Sequence, residues 1–387
     1  MNSDLRFVNE LIRIVSGALR LDVDKVRNYT AFLAEKLEAQ GEVSTAARLR
    51  KLLAESDHQL RPNDVRFGGT LPVDADSRFP LIEKAKVKEL DEPPVALTPD
   101  QWDVVNEFVA VAKSYAQIDD ADIAGSVSLL MYGPPGTGKS RVARHIAREL
   151  GLDLYVARLD GLISSFLGST SKNIRALFDF AARTPCVLFL DEFDAIAKLR
   201  GDSQELGELK RVVNSFIQNL DALGSHSVVV AATNHEELLD AAVWRRFGYR
   251  LELGHPTPEL RAQLWGDFMR PRELEKRDLE LLVDLSEGFS GSDIREVSTR
   301  LRRRSAMTGA KPELSDAFLV LQNVGIGEGA ERRFLSSLRG LGNDEVAKAL
   351  RNRDQKLYSH AALAQLLGVS KATAYRHVKG DNRGRGS

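Results

Sequence analysis

Cysteine is almost absent: Cys186 is the one thiol in 387 residues, so no internal disulfide can form. Its place just before an apolar stretch predicts a buried, inert side chain, and no thiol chemistry is expected of it. Long hydrophobic runs are missing too, since no apolar segment approaches the ~20 residues a membrane-crossing helix requires. Met1 to Arg13 interleaves Asp4, Arg6, Glu10 and Arg13 with its apolar positions, without the unbroken apolar core of a secretory signal. A cytoplasmic protein with no membrane partner is the expectation. An excess of one charge is absent as well, the formal net charge being -1, which alone argues neither for nor against nucleic acid. No internal repeat is evident, and the only biased tract is the Gly/Arg-containing end, Asp381 to Ser387.

What is present is the composition of a soluble globular protein, 43% hydrophobic and 28% charged, and a length that predicts two or three domains. Leu5, Val8, Leu11, Ile12 and Val15 recur at helical spacing, and Val26, Tyr29, Leu33 and Leu37 repeat the pattern before Gly41, with Ala46 to Leu53 closing a second helix pair. Residues 1–60 therefore read as a helical domain whose apolar stripe either packs internally or docks a partner. From 61 to 99, Gly68, Gly69 and the prolines Pro62, Pro72, Pro80, Pro93 and Pro94 break every period and predict a linker. Strand candidates Ser128 to Tyr132, Leu154 to Ala157, Cys186 to Leu190 and Val228 to Ala232 alternate with helices across 100–256. The fold class expected is α/β, a mostly parallel sheet sandwiched by helices with ligand loops at the carboxyl ends of the strands. Residues 257–324 read as a helical region, and 325–387 as a basic helical tail.

Gly133-Pro134-Pro135-Gly136-Thr137-Gly138-Lys139-Ser140 fits a phosphate-cradling loop between a strand and a helix. Its glycines allow backbone N–H groups to face a concavity, and the helix amino terminus adds partial positive charge. Lys139 would meet the β- and γ-phosphates of ATP, and the Ser140 hydroxyl would ligate Mg²⁺. Val187 to Leu190 is an apolar strand ending in Asp191 and Glu192. Asp191 suits the metal and Glu192 suits the attacking water, and a glutamate at that position favours hydrolysis over nucleotide sensing. Another apolar strand ends in Thr233 and Asn234, whose amide would position the γ-phosphate or water. Arg245 and Arg246 follow soon after, and a guanidinium offered to a neighbouring copy's γ-phosphate stabilises transition-state charge.

In combination these motifs resemble the AAA+ superfamily, and within it the AAA clade whose members remodel proteins. The similarity runs from Leu129 to Val324, roughly half of the chain, through Leu188-Phe189-Leu190-Asp191-Glu192, Ala231-Ala232-Thr233-Asn234 and Leu239-Asp240-Ala241-Ala242 to Arg245-Arg246-Phe247. The resemblance implies that Asn234 is the first sensor, that Arg245 and Arg246 reach the adjoining subunit's ATP, and that residues 257–324 are the helical lid. It further implies a homo-oligomeric ring, usually hexameric, because each site draws on two chains. Ser164 to Gly168 lies where the family carries its aromatic pore loop, making Phe166, with Leu167 beside it, the substrate-gripping position. Gly288 to Ile294 is similar to the lid signature. Ser292 stands where this clade has a small residue, so no second arginine sensor is assigned, Arg295 being the one residue considered for it. The family's glycine-paired segment before the phosphate loop has no counterpart, which leaves the adenine pocket unassigned. The amino-terminal helices and the linker match no adaptor domain of the family.

From Ala330 to Ser387 there are 12 Lys and Arg against 5 Asp and Glu. Within this tail, residues 360–379 read as a helix-turn-helix: Ala364 is small where helices approach, Gly368 suits a left-handed turn, Ser370 can cap the second helix and Ala374 faces inward. The segment resembles a bacterial repressor-type DNA-binding module, with Lys371, Thr373, Arg376 and His377 facing a groove and Arg351, Arg353, Lys356, Lys379, Arg383 and Arg385 meeting phosphates. Three functions stay open on the sequence: a ring motor that remodels a protein and is tethered to DNA by its tail, a DNA-handling ATPase of transposition or loader type, and a nucleotide-gated DNA-binding regulator.

Overall fold

The computed structural model describes residues 7–20, 22–56, 71–74, 78–85, 95–114, 127–159, 167–195, 206–223, 227–271, 273–324 and 333–379. Contacts group the chain into two units. The first comprises Met1–Leu90, Pro99–Gly133 and Lys139–Glu252; the second comprises Asp91–Thr98, Pro134–Gly138 and Leu253–Ser387.

The first unit opens with α1 (Val8–Leu19), α2 (Val23–Ala39) and α3 (Val43–Ser56). Leu33, Ala34, Leu37 and Ala46 form their shared core, with Ile14 and Leu49 packed against it. Helical spacing in α1 is as the sequence predicts, but the face that packs is not the face the apolar stripe suggests. Leu11, Ile12 and Val15 are 47%, 42% and 56% exposed. Glu10 and Gly17 are the buried residues of α1 instead. The reason is an ion pair: the Glu10 carboxylate receives Lys36 Nζ of α2 at 2.6 Å, which turns that side of α1 inward. Arg13 donates to the Tyr29 hydroxyl and lies over its ring. On the rest of the unit, Asn28 Nδ2 donates to the Arg183 carbonyl at 3.2 Å and Asn9 Nδ2 to the Lys113 carbonyl at 3.1 Å.

A six-stranded sheet follows, from β1 (Glu83–Ala85), β2 (Ser128–Tyr132), β3 (Asp153–Arg158), β4 (Cys186–Asp191), β5 (Val228–Thr233) and β6 (Tyr249–Glu252), in the order β1-β3-β4-β5-β2-β6. All its pairings are parallel except that of β1 with β3. Its helices are α4 (Pro99–Ser114), α5 (Lys139–Leu150), α6 (Leu167–Arg183), α7 (Leu206–Leu223) and the single turn α8 (Ala241–Trp244). β4 and β5 are buried along almost their whole length, as strands covered on both faces must be, which is why they read as unbroken apolar runs. Cys186 is fully enclosed here, and burial pushes its thiol up to about 12, consistent with an inert side chain.

Part of the stretch read as linker folds onto this sheet. β1 lies within it, Val73 bridges Pro80, and Leu81 and Ile82 enter the core beside Leu188 and Phe178. Asn173 Nδ2 of α6 donates to the buried Asp74 carboxylate, fastening the segment. A three-residue strand is too short to show a period, so proline and glycine density hides it. Residues 61–70 and 86–94 lie outside the described residues.

The second unit holds α9 (Pro258–Met269), α10 (Lys276–Leu285), α11 (Gly291–Thr308), α12 (Leu314–Val324), α13 (Arg333–Ser337), α14 (Asn343–Arg353), α15 (His360–Leu367) and α16 (Lys371–Lys379). Capping explains several of their starts. Thr257 Oγ1 accepts from Leu260 N ahead of Pro258, and Ser290 with Asp293 forms a capping box. One core runs through all of them: Trp265, Leu281, Phe289, Ile294 and Phe318 share it with Leu350, Tyr358, Leu363 and Ala374. The tail that sequence composition sets apart is thus packed into the same core as the helices before it.

Candidate active site

The sheet order places three loops side by side. β5 lies between β4 and β2, with Leu190 opposite Ala231 and Tyr132 opposite Thr233. Gly133, the pair Asp191-Glu192 and Asn234 therefore emerge together at the carboxyl ends of adjacent parallel strands, where ligands bind in sheets of this type.

The loop after β2 has the backbone its glycines predict: Gly133, Gly136 and Gly138 have φ of 129°, 80° and 105°. Successive N–H groups in such conformations form an anion-binding concavity. Lys139 opens α5 and is buried, its ammonium donating to the Gly133 carbonyl at 2.7 Å. Burial lowers its pKa to about 8, opposed by the nearby carboxylates of Asp191, Glu236 and Asp194. A buried cation at a helix amino terminus, following a glycine-rich turn, suits a polyphosphate. Ser140 follows in the first turn of α5 and is exposed.

Within the second unit, Pro134, Pro135, Gly136, Thr137 and Gly138 meet the start of α11. Thr137 Oγ1 donates to the Pro134 carbonyl at 3.0 Å, and Ser292 N donates to the Gly136 carbonyl at 3.1 Å. A Cβ on Gly136 would lie 2.6 Å from Ser290 Oγ. Here the close approach as well as the left-handed φ requires glycine. This explains the Gly288 to Ile294 signature physically: its serines lie against the loop. Arg295 follows in α11 and is exposed.

Asp191 ends β4, and its Oδ1 accepts from Glu192 N at 3.0 Å. Glu192 has φ of 54°, one of two non-glycine residues with positive φ among those described. Such strain costs on the order of 1–3 kcal/mol and collects at functional sites. Phe193, wholly buried, fixes the turn by donating its N–H to the Ala232 carbonyl at 2.8 Å.

Two residues to which the motifs assign no role complete the frame. Asp194 is buried, and its Oδ1 accepts from Thr233 Oγ1 at 3.2 Å; that hydroxyl also accepts from His235 N at 3.0 Å. Thr233 thus ties the β4 turn to both sides of Asn234, which is itself half-buried. The signal was a second acid three residues after Asp191, legible only once β4 and β5 are known to be neighbours. Arg245 and Arg246 are exposed after α8, and Arg246 lies 3.5 Å from Asp221. Asp240 caps α8 by accepting from Ala242 N and Val243 N, which sets where the arginines leave the helix. Phe166 lies outside the described residues, and Leu167 opens α6.

Residues 129–255 match the model of the AAA family, the ATPase family associated with various cellular activities. The match is confined to that stretch, about a third of the chain. Relatives include the uncharacterized AAA family ATPase y4kL of Sinorhizobium fredii, 43% identical over 205 residues (51% of this chain, 60% of the relative). Vacuolar protein sorting-associated protein 4 of Dictyostelium discoideum is 30% identical over 280 residues, covering 71% of this chain and 60% of the relative. The chain thus spans 60% of the length of each. A solved structure, the FIGL-1 AAA domain in complex with ADP, shares the fold at a TM-score of 0.52 and 23% identity, covering 67% of this chain and 92% of that one. The residues matched take in β2 to β6 and the loops at their ends; α1–α4, β1 and α9–α16 lie outside them.

In the tail, α15 is capped by Ser359 and ends at Gly368 with φ 62°, and α16 begins after Ser370, whose Oγ accepts from Thr373 N at 3.1 Å. Lys371 and Arg376 are exposed, whereas Thr373 and His377 are half-buried. The Thr373 hydroxyl is engaged with Ser370 Oγ at 2.9 Å and accepts from Arg376 at 3.2 Å. Two expected phosphate contacts are committed elsewhere. Arg353 Nε donates to Asp284 at 2.8 Å, and its Nη2 to Asp284 and Glu287. Arg351 Nη1 donates to the Gln355 and Tyr358 carbonyls at 2.9 and 3.0 Å. Their distribution along α14 reads as a basic surface, but the acids that hold Arg353 come from 66 and 69 residues away in sequence. Lys356 and Lys379 are exposed; Arg383 and Arg385 lie outside the described residues. No helix among the described residues is long and apolar enough to cross a membrane.

Proposed function

We propose that the chain hydrolyses ATP and uses the energy to remodel a protein substrate as a homo-oligomeric, hexameric ring. The observation that carries this reading is the meeting of the Gly133 loop, Asp191-Glu192 and Asn234 on three adjacent strands. Lys139 and the loop amides hold the β- and γ-phosphates, with Gly133 to Ser140 forming the cradle. Ser140 and Asp191 hold Mg²⁺, which supplies charge neutralisation of the phosphates when bound. Glu192, whose backbone turns to a left-handed φ at the end of the strand, takes the proton of the attacking water. Asn234, braced by Thr233, orients that water or the γ-phosphate. Arg245 and Arg246 extend to the adjoining copy's site, which makes turnover depend on assembly. Phe166 and Leu167 grip the substrate in the pore; the name of the Dictyostelium relative, a vacuolar protein sorting-associated protein, supports work on proteins without identifying a target here.

Phosphate release by the purified chain tests the reading together with its mass in ATP. Loss of turnover in Glu192→Gln with ATP retained in the assembly is expected, and Lys139→Ala should lose nucleotide. A parent chain that releases no phosphate in any assembly state would end it. Phe166→Ala should abolish unfolding of a protein substrate while sparing hydrolysis.

A second reading is favoured by one feature: α15, the left-handed Gly368 and α16 form two packed helices with basic residues exposed on the second. Through Lys371, Thr373, Arg376 and His377 the tail binds DNA, as a tether for the motor or as the working end of a DNA-handling ATPase. A nucleotide-gated regulator needing no turnover would keep its function in Glu192→Gln, which separates it from both.

A further inference from the structure

The exposed side of α16 holds two of the four residues the sequence pattern selects, Lys371 and Arg376, while Thr373 and His377 are half-buried. Lys371, Ala372, Tyr375, Arg376 and Lys379 form its outward stripe, while Ala374 is buried in the core and Val378 packs against it. Lys371, Ala372, Tyr375 and Arg376 line, with His360 of α15, a shallow open cavity of about 520 Å³ with no acid among the described residues of its lining. Tyr375 is 46% exposed. Its ring is held from two sides, by the His360 ring at a centroid distance of 5.0 Å and by Lys379 Nζ at 5.3 Å. Beside His360, Ser359 Oγ receives Arg277 Nη2 of α10 at 2.6 Å, so a cation from the lid helices adjoins the same surface. Arg277 is exposed.

A large aromatic held in place by two neighbours, between exposed cations and beside an exposed alanine, is a surface built to be covered by something polyanionic and flat-faced. Double-helical DNA meets that description, and the second helix of such a pair enters the major groove with its amino-terminal residues on base edges. Arginine can pair bidentately with guanine, and an alanine methyl can meet the thymine methyl.

Resting on the tail reading above, we propose that the base-reading surface is this cavity: Lys371, Ala372, Tyr375 and Arg376 contact bases of duplex DNA, and Arg277 with Lys379 contacts phosphates. Thr373 and His377 position α16 from its inner side. Arg277 makes the surface composite, because it belongs to α10 and not to the helix pair.

The test uses the full chain, a labelled random-sequence duplex pool and rounds of selection for bound sequences. Wild-type protein should enrich a defined site. Tyr375→Ala and Arg376→Ala should lower affinity for that site by about 5- to 150-fold and relax its selectivity. Arg277→Ala should weaken all duplexes alike and reduce the slope of log affinity against log salt by about 1. Phosphate release and thermal unfolding of each variant report whether the core survives, and Tyr375→Phe, which keeps the ring against His360, controls for packing. If the wild-type chain binds no duplex at low salt, the tail reading falls and this inference with it. If duplex binding persists but Tyr375→Ala and Arg376→Ala keep wild-type selectivity while Thr373→Ala or His377→Ala lose it, the tail reading stands and the face assigned here is wrong.

Discussion

The strand ends of the first unit and the helix pair that ends the second carry different kinds of information. Around β2, β4 and β5, chemistry-bearing residues are consecutive in sequence, because a parallel strand delivers its last residues to one edge whatever packs on its faces. Around α16 the residues that matter are spaced by turns of a helix, and which of them face outward depends on partners such as Leu363 and Trp265, far away in the chain. A motif is readable where the backbone alone aims the side chains. A helical surface becomes readable only when its core is known.

The largest expected effect sharpens the first half of that contrast. Arg245→Ala should slow phosphate release by on the order of 10³- to 10⁵-fold if the arginine completes a neighbour's site. Mixing Arg245→Ala copies with Glu192→Gln copies should restore part of the activity, since some interfaces then pair an intact Glu192 with an intact Arg245; strict absence of rescue would place both within one copy. Glu192→Gln alone should cost about 10²- to 10⁴-fold in turnover, with retained nucleotide measured by filter binding. A loss of nucleotide affinity instead would mean that the carboxylate binds and does not take a proton.

Smaller effects probe the second half. Arg353→Ala removes the partner of Asp284 and Glu287 and the cation beside the Phe334 ring. It should destabilise the second unit by about 2 kcal/mol, read as a shift in urea midpoint. Arg351→Ala, whose bonds are to carbonyls, should cost less. A weakened DNA affinity in Arg353→Ala without any loss of stability would show that the ion pair opens and that the arginine serves phosphates after all.

The smallest effect concerns proton linkage at Lys139, lowered to about 8 by burial. Phosphates beside the ammonium favour its charged form, so the bound pKa lies above the free one. Below pH 8 the free protein already carries the proton and ATP affinity should be flat. Above it, binding must take up a proton, and affinity should fall by up to about tenfold per pH unit until the bound pKa is reached. Calorimetry in buffers of differing ionisation enthalpy reads the uptake directly.

The grouping of the candidate site was legible from the sequence because Gly133 to Ser140, Asp191-Glu192 and Thr233-Asn234 each sit at a strand end marked by an apolar run. The brace between Asp194 and Thr233 was not, since it depends on β4 and β5 being neighbours. β1 is hidden because three residues show no period, and β6 because its strand, Tyr249 to Glu252, alternates with charged Arg250. The outward turn of Leu11, Ile12 and Val15 has no sequence signal because Glu10, a charged residue, takes the buried position by pairing with Lys36. In the tail, Gly368, Ser370 and Ala374 foretold two helices and a turn, while the exposure of Tyr375 and the capture of Arg353 depended on contacts across the second unit.

Tyr358 shows the cost to the tail of lacking a core of its own. Its hydroxyl donates to the Asp284 carboxylate that Arg353 also holds, and burial together with that bond pushes its ionisation well above the ordinary phenol range. Asp284 of α10 thus holds both the residue that ends α14 and the phenol just ahead of α15. One carboxylate serves two otherwise separate helices, so its removal would loosen the end of α14 and the start of α15 at a single stroke.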